Sequence, residues 1–179
     1  MAEYAFPALF TLLLWWGSTG LIIYLDGLRR ETFRWTMLGA TTLLCAGLAG
    51  LHALAWETGA MGAWLGFVCG VLCWAWIEIA FLTGIVTGPR RTPIAPTVRG
   101  WARFRAAVAT LLWHEIAIVV MAGAIVAVTW DAPNQIGTWT FLAFWGMRQS
   151  AKLNVFLGVR NLSETFLPDH LRYLESYFA

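Results

Sequence analysis

Charge is scarce in this chain: Asp, Glu, Lys and Arg make up 12% of its 179 residues, about half the share in an average soluble domain. That scarcity sets the chain far from the composition of a soluble globular domain. Cysteine is also sparse, and Cys45, Cys69 and Cys73 all fall inside apolar runs, so no disulfide framework is implied. The opening "MAEY" has no positive region, and the first apolar run ends in "LDGLRR" without a small-residue cleavage site, so it reads as a retained span rather than a signal peptide. Gly-rich phosphate loops, zinc-ligand spacings, hydrolase triads and nucleic-acid motifs are missing as well.

What is present is apolar. Hydrophobic residues reach 59%, with 12 Trp, and the mean hydropathy is +0.65. An all-α polytopic membrane bundle follows, since spanning segments must satisfy their backbone polar groups internally. A helix crosses about 30 Å of hydrocarbon in roughly 20 residues. Segments 4–25, 34–56, 61–86, 106–130 and 135–158 meet that length, which predicts about five antiparallel spans in a single domain, 1–179, with an amphipathic tail over 161–179. The breaks "DGLRRETFR", "ETGA", "GPRRTPIAPTVRGWARFR" and "DAPNQ" carry the Gly, Pro and polar residues of connecting loops.

Basic residues are placed on one side only. Arg29, Arg30 and Arg34 fall in the first connection, Arg90, Arg91, Arg99, Arg103 and Arg105 in or beside the third, and Arg148, Lys152, Arg160 and Arg172 from the lower half of the fifth span onward. The positive-inside rule then predicts an outward N-terminus and a cytoplasmic C-terminus. In the tail, Pro168 precedes Leu171, Leu174, Tyr177 and Phe178 at helix-like spacing, which predicts a helix lying on the cytoplasmic surface. Trp35, Trp56, Trp101, Trp130 and Trp139 sit near span ends as interfacial anchors. Gly62, Gly66 and Gly70 form a small-residue stripe that lets another helix approach closely.

Against this background the string "LLWHEIAIVV" stands out. An ionised group at the centre of a span costs roughly 2.5–3.5 kcal/mol on insertion scales, so His114 and Glu115 need partners. Counting about 1.5 Å per residue puts Glu78, His114, Glu115 and Arg148 at one depth on three helices, a buried polar layer in the cytoplasmic half. Adjacent residues diverge by about 100° on a helix, so His114 and Glu115 are expected to face different neighbours. The layer reads as a register-setting ion-pair network or as ligand contacts: a metal, a tetrapyrrole or quinone, or a proton relay. The metal signal is weak, since no paired E-x-x-H repeat accompanies it. Below it, "GMRQSAKLNVFLGVRN" places Lys152, Asn154, Arg160 and Asn161 at a cytoplasmic mouth, either snorkelling or receiving an anionic group.

The strings "FWGMRQSAKLNVFLGVRNLSETFLPDHLRYLESYF", "LLLWWGSTGLIIYLDGL", "RWTMLGATTLL", "GIVTGPRR", "WHE" and "PNQIGTWTF" together resemble the PuhE family of photosynthetic-complex assembly proteins of purple bacteria. The resemblance spans nearly the whole chain. It implies an inner-membrane factor of the intracytoplasmic photosynthetic membrane, with reaction-centre and light-harvesting subunits as partners. It implies a link to bacteriochlorophyll supply, and it carries no catalytic residue across. It also implies further hydrophobic segments beyond "LRYLESYF". A membrane factor that contacts photosynthetic subunits and pigment is therefore the expectation. The alternatives are an enzyme or cofactor-bearing protein acting on a tetrapyrrole, isoprenoid or quinone, and an accessory subunit of the mature complex.

Overall fold

A computed structural model describes residues 2–157 and 167–178, with side chains from residue 5 onward. It is all-helical, with α1 (Ala2–Asp26), α2 (Phe33–Ala53), α3 (Ala60–Leu82), α4 (Gly100–Val128) and α5 (Ile136–Phe156). Two stretches of 3-10 helix accompany them, Arg30–Thr32 and Asp169–Tyr177. Helices α1 to α4 are each long and apolar enough to cross a membrane, which makes this a multi-pass membrane protein. Helix α5 has 21 residues, enough to cross, but its last turns carry Arg148, Gln149, Lys152 and Asn154 and dilute its apolar character.

Helix α3 is the centre of the bundle, packed against all four others. Small residues permit this. A Cβ at Gly70 would stand 2.8 Å from the Gly137 carbonyl oxygen of α5, and one at Gly47 would stand 3.2 Å from the Cys69 carbonyl oxygen. The backbones of α2, α3 and α5 therefore meet nearly directly, which is how apolar helices associate when lipid removes the hydrophobic drive between them. Leu51, Cys73, Ile77, Ile118, Met121, Ile125 and Phe141 fill the core. None comes from α1, which buries no described side chain.

The connections are built structures. Asn134 donates to the carbonyls of Leu54 (3.0 Å) and Gly62 (3.1 Å), pinning the α4–α5 loop to the α2–α3 connection. Gln135 donates to the Thr129 and Ala132 carbonyls, supplying partners at the end of α4 where intrahelical donors run out. The longer connection after α3 differs from the sequence expectation of a span to residue 86. Gly84, at φ +75°, ends the helix in the left-handed region. The chain from Thr87 to Arg90 then lies along α4: His114 N–H donates to the Thr87 carbonyl at 2.8 Å, and Arg90 N–H to the Ala109 carbonyl at 3.2 Å. Gly88 is required there, since any Cβ would enter the Ala109 and Thr110 backbone.

The tail is amphipathic as expected but wound differently. Leu171, Leu174 and Tyr177 recur every third residue, the repeat of a 3-10 helix, and all three are buried. Leu171 and Leu174 close on Phe81 and Leu111 instead of facing outward. Arg90 and Arg103 hold the end in place, donating to the Tyr177 hydroxyl and carbonyl respectively.

Candidate functional site

The polar residues of α3, α4 and α5 sort into two ion pairs and one solitary imidazole. Arg148 approaches Glu78 at 3.3 Å between α5 and α3. Lys152 pairs with Glu115 between α5 and α4, and Gln149 donates to the second Glu115 oxygen at 2.6 Å. Successive turns of α5 thus present Arg148 to one neighbour and Lys152 to the other. Both pairs keep some exposure: the Arg148 and Glu78 side chains are 30% and 13% accessible, those of Lys152 and Glu115 16% and 27%.

His114 belongs to neither pair. It is fully buried, and neither ring nitrogen has a hydrogen-bond partner among the described residues. Its ring lies 4.6 Å from that of Phe81, centroid to centroid. The Arg148 guanidinium carbon stands 5.5 Å from the centre of the same Phe81 ring, within cation–π range. Phe81 therefore separates the imidazole from the guanidinium. No signal in composition marked it, but it lies one turn beyond Glu78 on α3, and a search for aromatic neighbours at i+3 would have found it.

A cavity of about 560 Å³ opens beside the Glu78–Arg148 pair, bounded by α1, α3, α4, α5 and the tail. Its walls are largely apolar, with Trp15, Trp74, Phe144 and Phe156 among them, and its polar groups include Asp26, Glu78, Arg148 and Lys152. Asp26, at the end of α1, was not anticipated as part of this layer. His114 and Glu115 are not among the lining residues, and among the described residues no imidazole is. Lys152, placed by sequence at the mouth, stands in the ion-pair layer itself, while the exposed Asn154 lies two residues further along α5. Arg160 and Asn161 lie outside the described residues. Among the described residues no group of His, Cys, Asp and Glu is arranged to hold a metal ion.

Fold and site define a polytopic helical membrane protein with a charge-paired layer beside an apolar cavity. The chain belongs to the family described as "Protein of unknown function (DUF3623)", which it matches over residues 1–179. It is 37% identical over 175 residues to the "Uncharacterized 30.4 kDa protein in puhA 5'region" of Rhodobacter capsulatus, covering 96% of this chain and 64% of that protein. The chain therefore spans less than two thirds of that relative's length. No solved structure matches it.

Proposed function

We propose that this chain is an inner-membrane factor for assembly of the bacterial photosynthetic reaction centre and light-harvesting complexes, as the PuhE resemblance implies. The observation that carries the reading is the position of the relative's gene in the 5′ region of puhA, a photosynthesis-cluster gene. Reaction-centre and antenna subunits are the partners it would meet. The cavity supports the reading from the side of chemistry: aromatic and aliphatic walls accept a flat or chain-like apolar body, and Arg148 and Lys152 supply donors for a polar end. Bacteriochlorophyll fits that description through its apolar body. Because no imidazole lines the cavity among the described residues, such a contact would be by packing and not by a histidine on the pigment's magnesium.

The test is a deletion strain complemented with Ala75→Phe, a change that projects a ring into the cavity from α3. Reaction-centre and antenna absorbance should fall while the protein's own level in the membrane holds. Equal loss of both would leave only a structural role for the cavity wall. A second reading has an observation of its own, namely the cavity beside two ion pairs: an enzyme or cofactor-bearing protein acting on a tetrapyrrole, isoprenoid or quinone. Co-purification with an absorption spectrum and metal analysis separates the two. Photosynthetic subunits without a converted product favour assembly, and turnover of an added lipid-soluble substrate favours chemistry.

A further inference from the structure

A second cavity, of about 320 Å³, lies at the end of the bundle where the Arg-rich connections gather. Three distant pieces of chain enclose it: Arg30 and Phe33 from the first connection and the start of α2, Thr83 to Arg91 after α3, and His170 to Tyr173 of the tail. Its charge balance is unlike that of the large cavity. There, Glu78 and Glu115 answer Arg148 and Lys152. Here Arg30, Arg91 and His170 line the walls, and among the described residues no carboxylate does. Neither arginine is in an ion pair among the described residues; the nearby carboxylates of Glu31 and Asp169 are engaged by Arg29 and Arg172.

The hydroxyls of this wall are also under-used. Thr83 spends its proton on the Ile79 carbonyl at 2.7 Å. Thr87 is 1% exposed, and its buried hydroxyl and that of Tyr173 face one another, neither making a well-formed hydrogen bond among the described residues. His170 is oriented by its own backbone contact: Nε2 stands 2.7 Å from the Leu82 carbonyl, which can only accept, so the proton is on Nε2. Burial and then Arg30 hold the His170 pKa below the ordinary value, with its Leu82 contact and Asp169 opposing. The imidazole is thus poorly protonated in a place already crowded with positive charge. Gly84 at φ +75° lets the His170 ring pack on the turn, where a Cβ would stand 2.8 Å from Cδ2.

We propose that this pocket binds a phosphate group, with Arg30 and Arg91 supplying paired N–H donors and Thr87 and Tyr173 supplying hydroxyls after small side-chain rotations. Guanidinium groups match tetrahedral oxyanions by bidentate hydrogen bonding, and two weakly bonded hydroxyls beside them lower the cost of taking the anion out of water. The phosphate comes either from a lipid headgroup or from a soluble phosphate compound. Three segments that share no helix would be tied together by one ligand, so binding would also fix the tail on the bundle.

The test uses the full chain purified in a neutral detergent. Its unfolding midpoint is measured with inorganic phosphate against chloride at matched ionic strength, and lipid retention is measured by native mass spectrometry after reconstitution in phosphatidylcholine vesicles with and without phosphatidylglycerol. Arg30→Gln with Arg91→Gln should weaken binding about tenfold or more. Thr87→Val should weaken it less, while Arg29→Gln, which removes an equal charge from the same connection at the Glu31 pair, should leave it unchanged. Stabilisation by inorganic phosphate alone assigns a soluble ligand; selective retention of phosphatidylglycerol assigns a headgroup. The proposal is overturned if neither ligand binds the unaltered chain, or if Arg29→Gln weakens binding as much as the pocket variants do. Should the double variant not fold, Thr87→Val and the unaltered chain decide the matter.

Discussion

Replacing Glu115 by Ala is the sharpest probe of the charged layer. The substitution leaves the Lys152 ammonium, 16% accessible, without its carboxylate, and strips Gln149 of the acceptor it reaches at 2.6 Å. Breaking a buried ion pair from one side costs about 3–5 kcal/mol. The 27% accessibility of the Glu115 side chain lets water offset part of this, which brings the expectation to about 2.5 kcal/mol, or roughly 70-fold in the folded-to-unfolded ratio. Lys152→Met combined with Glu115→Ala removes both charges and keeps an apolar stem of similar length on α5. Buried pairs replaced by apolar residues are often neutral or better, so the double variant should regain most of the loss. Reversible unfolding in mixed micelles, followed by Trp fluorescence, gives all four corners of the cycle. If Glu115→Ala is as stable as the parent chain, or if the two losses simply add, the pair is not a buried interaction and the layer has no energetic unity.

Other expectations test the packing and the tail. Gly70→Val, forced against the Gly137 carbonyl and the Thr140 side chain, should lower stability by about 1–3 kcal/mol or more, whereas Gly123→Ala, with nothing within 4 Å, should raise it by about 0.5–1 kcal/mol through helix propensity; the same micelle assay reads both. His170 has a folded pKa below its ordinary 6.5, chiefly from burial, with Arg30 and Arg91 beside it and Asp169 as the nearest opposing charge. Between the lowered value and 6.5 the unfolded chain binds the extra proton, so stability should fall as pH drops through 6.5. His170→Gln should flatten that slope in thermal unfolding measured across the range, and an unchanged slope would remove His170 as its source.

The helical class was legible because long apolar runs between short polar breaks admit few alternatives, and the stripe of Gly62, Gly66 and Gly70 announced a close contact that α5 fills at Gly66 and Gly70, while Gly62 meets Glu57 of the α2–α3 connection. Ion-pair partners were harder to read. Depth counting brought Glu78 and Arg148 to one level, and they meet at 3.3 Å. The same counting put Lys152 too low, because a long side chain can reach back along its helix. The end of α3 was hidden by Ile85 and Val86, which continue the apolar run past the left-handed Gly84. The phosphate pocket was invisible for another reason. Its residues lie at positions 30, 87, 91, 170 and 173, and no local pattern encodes that three loops converge.

Helix α1 supplies Trp15, Ser18, Ile22 and Asp26 to the large cavity while none of its described side chains is fully buried. A wall so lightly fastened is the easiest part of the bundle to push aside. A hydrocarbon-soluble visitor could slip sideways between α1 and α3 and reach the charges without ever threading an aqueous pore. Delivery would then be a matter of lateral diffusion within the leaflet.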